Sequence, residues 1–331
     1  MMTRRHRRVI VRVLVSTVLI VALLVFVDVR EVFGMLLAAS PALLVVLIAL
    51  HTADRVLMAV KWWLLLEAEN LGVSLAEAIR AYYISSFAGL FLPMTVGADI
   101  VRTVTMRHAG QTAKIIATIA VERGIGALAQ FALVGLSLLV IVQLGLAGPE
   151  AMDMTRLGAL IAVILLLLAI CLPLSFTIAQ RVANAWKGAG GLLDKLAELA
   201  AAYAGYSRHR GTLWTFLGLT VLEGFLPVTI HYYAAMALGL DVPYYVFVAL
   251  VPISFLIARL PISLGGIGVQ EGSFVAMALM LGFERDRAFA IVFLSQITLV
   301  VALIPGAVAY LTASEPAGPV GPAEPTDPEN S

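Results

Sequence analysis

The sequence predicts an all-α polytopic integral membrane protein, with about six full spans and two re-entrant broken-helix hairpins in an inverted repeat. Of the 331 residues, 61% are hydrophobic and 13% are charged, and this charged share is about half that of a soluble domain. Several apolar runs are long enough to cross a bilayer, and two related motifs interrupt shorter ones. The composition excludes a water-soluble enzyme and is too apolar for nucleic-acid binding.

The charged residues and the cysteine narrow the function classes further. The net charge is +1, but removing four acidic residues of the last 19 positions leaves 22 basic residues against 17 acidic ones. Such a basic body suits a protein that faces anionic lipid. The single cysteine, Cys171, excludes a disulfide framework and a cysteine-based metal site. No two histidines are three or four positions apart, so we expect neither a metal nor a cofactor.

The apolar runs divide the chain into segments. Residues 1–12 form a basic segment, and residues 13–27 predict a signal anchor, since the run is long for a cleaved signal peptide and no clear cleavage site closes it. The membrane domain is predicted to cover 13–312, and 313–331 form an acidic tail with proline at every third position. We expect a disordered tail, with a docking motif as the alternative. The five further spans are predicted at 41–62, 115–146, 156–178, 212–238 and 288–311.

Two shorter apolar stretches, 75–92 and 243–260, decide the topology. If both crossed the membrane, the basic segments that follow would lie outside, against the positive-inside tendency. If each dips in and returns, 13 basic residues lie in the cytoplasm and four outside. We therefore predict re-entrant hairpins and cytoplasmic N- and C-termini. Lys61, Trp62 and Trp63 are then expected at the cytoplasmic edge of a span.

The two hairpins belong to an internal repeat, predicted at about 41–146 and 212–311. The hairpin motifs align without a gap, and an upstream aromatic pair and a glycine align once shifts of one or two residues are allowed. Because one hairpin is expected to enter from the cytoplasm and the other from outside, the repeats are inverted. The matched positions are Ser86-Phe87 with Ser254-Phe255, 92–98 with 260–266, Trp62-Trp63 with Tyr232-Tyr233, and Gly72 with Gly239.

Each motif has the residues that a broken helix needs. Proline ends the first half-helix, a hydroxyl at Thr95 or Ser263 can bond freed backbone groups, and glycine lets the chain turn. The second half-helix would begin at mid-depth with free N–H groups and a positive dipole end, which favours an anion such as phosphate. A pair of kinked core helices is the alternative.

These motifs carry a resemblance to a known family. FLPMTVGADIVR at 91–102 and PISLGGIGVQEG at 261–272, in this order, resemble the flippase-like transmembrane family of lysylphosphatidylglycerol synthases, as does the acidic–arginine pair Glu122-Arg123. The family usually has Gly-Gly-Asp and Arg-Glu-Gly where this chain has Gly97-Ala98-Asp99 and Gln270-Glu271-Gly272. The resemblance implies lipid translocation in a bacterial inner membrane. It also implies membrane lipids and a separate synthase or glycosyltransferase as partners, and we expect the soluble synthase domain to be absent.

Charged residues within or beside the apolar runs are the candidate site. Each central charge costs roughly 2.5–3.5 kcal/mol, so such residues usually face a cavity or a partner. Three arginines are predicted to contact phosphate and four carboxylates to hold a cationic group or protons, with structural ion pairs as the alternative. Adjacent charges such as Asp54-Arg55 point about 100° apart on a helix and need partners elsewhere. The substrate-binding candidates are Pro93, Thr95, Gly97, Asp99, Arg102, Glu122, Arg123, Glu223, Arg259, Ser263, Gly265, Gly266, Gln270 and Glu271.

The leading functional hypothesis is a lipid translocase for an anionic or zwitterionic phospholipid or a polyprenyl-phosphate-linked headgroup. The alternatives are a secondary transporter of a small anion, a membrane-embedded lipid-modifying enzyme and a non-transporting subunit. We expect no enzymatic activity, because no catalytic motif is visible. The glycines from Gly265 to Gly268 follow no predicted strand and lack the Lys-Ser/Thr ending of a phosphate loop.

Overall fold

The structure is a computed structural model that describes residues 28–92, 95–106, 111–143, 145, 154–260 and 268–312. Within these ranges the secondary structure is helical and contains no strand. The predicted segments 1–12 and 13–27 and the tail 313–331 lie outside the described residues. The helices are α1 Val29–Leu37, α2 Pro41–Ala68, α3 Leu75–Gly89, α4 Thr95–Thr105, α5 Thr112–Gln143, α6 Met154–Trp186, α7 Gly191–Gly205, α8 Arg210–Ala237, α9 Tyr244–Ala258, α10 Val269–Met280, α11 Arg285–Ala302 and α12 Ile304–Leu311.

Five helical segments of the described chain are long and apolar enough to cross a membrane. They match five of the six predicted spans, and the sixth, at 13–27, is outside the described ranges. The chain is therefore a multi-pass helical membrane protein. The segments are Pro41–Ala68, Thr112–Gln143, Gly158–Trp186, Arg210–Ala237 and Arg285–Leu311.

The helices on either side of α6 and α7 follow the same order of lengths. Helices α2 to α5 have 28, 15, 11 and 32 residues. Helices α8 to α10 have 28, 15 and 12 residues, and a 27-residue segment made of α11 and α12 completes the second set. The packing is reciprocal. Helix α5 of the first half contacts α9 of the second, and α12 of the second half contacts α3 of the first. The first helix of each half, α2 or α8, contacts the other.

Helices α2 and α8 run antiparallel at the centre of the bundle. The Ser40 N–H donates to the carbonyl of Ala237 at 2.9 Å, at one end of the pair. Near the other end, the Tyr206 hydroxyl, just before α8, donates to the carbonyl of Leu65 at 2.8 Å. A two-fold axis that relates antiparallel helices is perpendicular to both. For helices that cross a bilayer, that axis lies in the membrane plane, which is the geometry of an inverted repeat.

The two helical hairpins begin and finish at opposite ends of the bundle. At the C-terminal end of α2, the Glu69 carboxylate lies 3.5 Å from Lys114 Nζ and 3.8 Å from His209 Nε2. The chain of α3 and α4 therefore leaves this end and returns to it. At the other end, the Asp28 N–H donates to the Asp286 carboxylate at 3.0 Å, near the contact of α2 with the end of α8. The chain of α9 and α10 starts and finishes there.

Residues at the edges of the hairpins show why these helices begin where they do. Helix α3 starts with a capping box, in which the Ser74 N–H donates to Glu77 at 2.8 Å and Ser74 Oγ accepts from the Glu77 N–H at 3.3 Å. Helix α10 follows Gly268, whose φ of +83° suits glycine, and the Gly268 N–H donates to Glu271 at 2.7 Å. A Cβ at Gly97 would lie 2.6 Å from the Leu92 Cβ, so the first hairpin turn requires glycine there.

The aromatic pair predicted at the membrane edge packs against neighbouring helices of the bundle. Trp62 is fully buried, and its indole N–H donates to Thr118 Oγ1 at 2.8 Å. Trp63 is half-buried and donates to the carbonyl of Val73 at 3.0 Å. Lys61 is only 4% exposed. Trp62 and Lys61 point into the bundle, where they find polar partners, so neither side chain faces lipid as a member of an aromatic belt would.

We expect cysteine labelling to place the two ends of the bundle on opposite sides of the membrane. In a Cys171→Ala background, single cysteines at Lys114 and Lys187 should react with an impermeant maleimide from the same side. This follows because α5 and α6 are antiparallel, with Gly124 near Leu172 and Gly135 near Ile161. A cysteine at Asp241, in the loop between α8 and α9, should react from the other side. Labelling of positions 114 and 187 from opposite sides would contradict the inverted arrangement.

Candidate functional site

A cavity of about 190 Å³ lies between α2, α5, α8 and α9. Its lining brings together charged residues from both halves of the bundle. Four are cationic and two are carboxylates, so the lining has an excess of positive charge in a part of the protein where charges are costly. The charged residues are Arg55, Lys61, Glu122, Arg123, Glu223 and Arg259.

Lys61 forms the polar link between α2 and α8. Its Nζ donates to Glu223 Oε2 at 3.0 Å and to Thr220 Oγ1 at 3.2 Å. The ammonium also lies 5.3 Å from the centroid of the Phe216 ring, within cation–π range. Lys61 and Glu223 thus form a buried ion pair between the first helices of the two halves.

Arg123 is fixed by a carboxylate from the first hairpin. Its guanidinium donates to both oxygens of Asp99, with Nη2 at 2.8 and 2.9 Å and Nε at 3.1 Å. This is the bidentate geometry that makes an arginine–carboxylate pair strong. The Arg123 side chain is still 47% exposed, so one edge remains open to a ligand.

Arg102 lies behind the cavity wall and does not line the cavity. It is 2% exposed, and its Nη2 lies 2.8 Å from Glu122 Oε2 and 3.2 Å from Asp99 Oδ1. The guanidinium carbon is 4.6 Å from the Trp62 ring centroid and 4.9 Å from that of Tyr82. Because two aromatic rings and two carboxylates already contact its guanidinium, Arg102 positions the Asp99 and Glu122 carboxylates. The structure does not support the predicted phosphate contact at Arg102.

The adjacent charges behave in two ways. Glu122 and Arg123 take their partners from α4, as the helical geometry predicted. Arg55 instead bonds the neighbouring Asp54, with Nε 3.0 Å from Oδ2. The prediction that these two side chains need separate partners is therefore wrong. The arginine side chain is long enough to fold back along the helix surface to its neighbour.

Arg259 is the cationic lining residue without a carboxylate partner among the described residues. It is the C-cap residue of α9, and its backbone N–H bonds the end of that helix. Its side chain is exposed at the cavity, within electrostatic reach of Arg123 and Glu223. In the part of the chain that the structure describes, the guanidinium makes neither a hydrogen bond nor an ion pair, which leaves its five N–H donors for a ligand.

A second cavity, of about 160 Å³, lies beside the first and shares Arg55, Pro227 and Phe255 with it. The second cavity lies between α2, α8, α11 and the ends of the two hairpins. Its polar lining residues are His51, Asp54, Arg55, His231, Gln270, Ser295 and Gln296. Arg55 therefore separates two polar spaces in the middle of the bundle.

The structure places the predicted site residues in three groups. Glu122, Arg123, Glu223 and Arg259 line the first cavity, and Gln270 lines the second. Glu271 is buried beside the second cavity, where it accepts from Gln296 Nε2 at 2.8 Å. Thr95 begins α4, and the backbone of Gly97 follows the turn of the first hairpin. Pro93, Ser263, Gly265 and Gly266 lie outside the described residues. Sequence reasoning did not place Lys61, Arg55, Thr220, His51 or His231 in the site.

A bundle of apolar spans with a cation-rich cavity between two related halves defines a class of protein: a multi-pass membrane protein with a polar path in its interior. The chain belongs to the family of the lysylphosphatidylglycerol synthase TM region, whose model matches residues 9–306. This match confirms the resemblance that the two hairpin motifs predicted. No curated protein matches the chain.

Proposed function

We propose that this protein is a lipid translocase. It moves the headgroup of an anionic or zwitterionic phospholipid, or of a polyprenyl-phosphate-linked lipid, between the leaflets. The observation that carries this proposal is the guanidinium of Arg259, which no carboxylate of the described residues pairs with, at a cavity that already contains Arg123. An arginine without a carboxylate partner in a membrane interior is costly, and a phosphate that it binds through two hydrogen bonds would offset that cost.

The two hairpins supply a path to the cavity. We propose that both are re-entrant, since the 15 residues of α3 or of α9 span roughly 22 Å at 1.5 Å each and the hydrocarbon core is about 30 Å thick. The first hairpin bears Asp99, which holds Arg123, and the second bears Arg259 at the end of α9. Rocking of one half against the other would then open the cavity first to one leaflet and next to the other.

A lipid fits this architecture better than a small soluble anion. A groove of about 630 Å³ lies between α5, α6 and α8, on two of the helices that form the first cavity. Its lining is mostly apolar, with Arg208 and Arg210 at one end and Trp214 72% exposed. An acyl chain needs an apolar surface that is open to the side, and cationic residues at one end suit a phosphate headgroup. A small anion would need only an enclosed site.

Arg259→Ala should slow lipid movement roughly tenfold to a hundredfold, as the loss of charged hydrogen bonds worth about 1.5–3 kcal/mol predicts. The rate is measured in proteoliposomes, as the protection of a fluorescent phospholipid from a membrane-impermeant quencher. Arg259→Lys keeps the charge but not the forked geometry, so it should retain part of the rate. Arg287→Ala is the matched control, because Arg287 only pairs with Glu284 at the surface.

Three results would contradict this proposal. Normal lipid movement by folded Arg259→Ala would remove the phosphate contact. Uptake of labelled phosphate by a wild-type protein that moves no lipid would favour a small-anion transporter. Conversion of labelled lipid in detergent, where the two leaflets no longer exist, would favour a lipid-modifying enzyme.

A further inference from the structure

The second cavity resembles the first in the polar residues that line it. The sequence match that aligns Trp62-Trp63 with Tyr232-Tyr233 places Lys61 opposite His231. In this register Glu223 and Thr220 correspond to Ala53 and Leu50, one residue before Asp54 and His51. In the first cavity, Lys61 contacts Glu223 and Thr220. His231, the counterpart of Lys61, lines the second cavity together with Asp54 and His51, which lie one residue from the counterparts of Glu223 and Thr220.

The outer walls of the cavities correspond as well. Glu122, Arg123 and Gly126 of α5 line the first cavity, and Ser295, Gln296 and Leu299 of α11 line the second at the same spacing. Each hairpin also supplies a carboxylate to a wall residue, although the two carboxylates do not align in sequence. Asp99 accepts hydrogen bonds from Arg123, and Glu271 accepts one from Gln296 at 2.8 Å. Each half therefore builds the same kind of site, but the second has neutral or titratable groups where the first has fixed positive charges.

The second cavity contains polar atoms that the described residues leave unsatisfied. His51, Asp54 and His231 are 6%, 2% and 1% exposed. Nε2 of both imidazoles and Oδ1 of Asp54 are buried and have no hydrogen-bond partner among the described residues. Nδ1 of His231 is 2.7 Å from the carbonyl of Pro227, so only its Nε2 is available. Buried polar atoms are rarely left unpaired, and those in this cavity point to a missing ligand.

We propose that the second cavity is a proton-binding site of the transport cycle, in which His231 and His51 take up one proton beside Asp54. This inference rests on the proposed lipid translocase. The proton comes from the water on one side, forms an N–H bond at an imidazole Nε2, and returns to water when the cavity opens to the other side. A protonated His231 would give the second half the positive charge that Lys61 gives the first half permanently. Histidine is the side chain that makes this change near neutral pH.

The groups around the imidazoles fit a single proton. On α2, the negative charge of Asp54 favours a protonated imidazole nearby and the positive charge of Arg55 opposes it. On α10, the Glu271 carboxylate accepts a hydrogen bond from Gln296 of α11. The other contacts are uncharged: the Phe255 and Phe274 rings lie 6.1 and 5.4 Å from the His231 ring, and α3 supplies Gly89 and Leu90. Tyr83 of α3 donates to the carbonyl of Thr52 at 3.5 Å. The described residues include no set of three side chains placed to hold a metal ion.

Lipid movement by the wild type should vary with pH between about 4 and 8, a range that covers a buried imidazole as well as an exposed one, and should respond to an imposed pH gradient. His51→Gln and His231→Gln should remove both responses, because glutamine takes up no proton. His209→Gln is the control, since His209 lies at the surface beside Glu69 and should leave the pH response in place. A full gradient response in the double variant His51→Gln/His231→Gln would overturn the proposal.

A direct proton count separates this inference from the proposed function. Potentiometric titration of the purified protein over the same pH range should show that the double variant binds about one proton fewer than the wild type. Equal counts would refute the proton site even if lipid moves. If the double variant binds one proton fewer but the wild type moves no lipid, the proton site stands and the proposed translocase is refuted. If the double variant does not fold, ¹⁵N-histidine NMR of the wild type measures the same protonation, with signals assigned from the single variants. Imidazole signals of His51 and His231 that do not change with pH would refute the site.

Discussion

Gly306→Ala should destabilise the purified protein by about 1–3 kcal/mol or more, the usual cost of overpacking a well-packed interior. Gly306 lies in α12, where that helix packs against α3. A Cβ at this position would lie 2.4 Å from the carbonyl oxygen of Tyr83 and 2.8 Å from its carbonyl carbon. Because these are backbone atoms of a helix, no rotamer change relieves the clash, and α12 would have to move away. Thermal unfolding in detergent, followed by size-exclusion chromatography, measures the loss.

Two other glycines provide matched controls for this result. Gly218 lies inside α8, and a Cβ there would meet no atom within 4 Å, so Gly218→Ala should cost nothing or stabilise the helix. At Gly224 the nearest atom is Leu133 Cδ1 at 2.2 Å, the end of a side chain that can rotate, so the loss should be smaller than at Gly306. Equal stability of Gly306→Ala and Gly218→Ala would show that α12 does not dock on α3.

Lys61→Met should be the second severe change, with a loss of about 3–5 kcal/mol, because it leaves the Glu223 carboxylate buried without its cation. The two side chains are 5% and 16% exposed, so little solvent is available to replace the missing partner. Methionine is close to lysine in length, and the variant therefore tests the charge rather than the volume. The yield of folded protein and its unfolding temperature are the measurements.

The double variant Lys61→Met/Glu223→Gln separates folding from transport. Removing both charges should restore most of the stability, since neither partner is then left uncompensated. If the pair also contributes to the charge of the first cavity, the double variant should fold and yet move lipid slowly. A single Lys61→Met variant as stable as the wild type would contradict the buried ion pair. A double variant with full lipid movement would give the pair a purely structural role.

Hydropathy predicted the spans because a bilayer requires long continuous apolar helices, and the hairpins stood out because proline and glycine interrupt such runs. The role of Lys61 could not be read in the same way. A lysine followed by two tryptophans near the end of an apolar run has the same pattern at a membrane edge and in a buried ion pair. Its partner, Glu223, is 162 residues away, so no spacing in the sequence joins them.

Another error arose because the partners of a charged side chain were predicted from its angular position on a single helix. The offset of adjacent residues predicted separate partners for Asp54 and Arg55, but it ignored the length and flexibility of the arginine side chain. The pairing of Asp99 with Arg102 follows from their three-residue spacing and is confirmed at 3.2 Å. The contact of Arg102 with the Trp62 and Tyr82 rings depends on how α2, α3 and α4 meet, which no local pattern specifies. The internal repeat was the one long-range signal, and it could have linked His231 to Lys61.

The reciprocal contacts of α5 with α9 and of α12 with α3 have a mechanical consequence. Each half packs against the first hairpin helix of the other half, α9 or α3. Hydrogen bonds also join α2 to the α8 segment near both ends of the pair. Neither hairpin can swing without displacing a long helix of the opposite half. We therefore expect the two ends of the bundle to move together as one rigid lever. When the helices separate at one end, they close at the other. A leak, with both ends open at once, would require the contacts of α5 with α9 and of α12 with α3 to be lost.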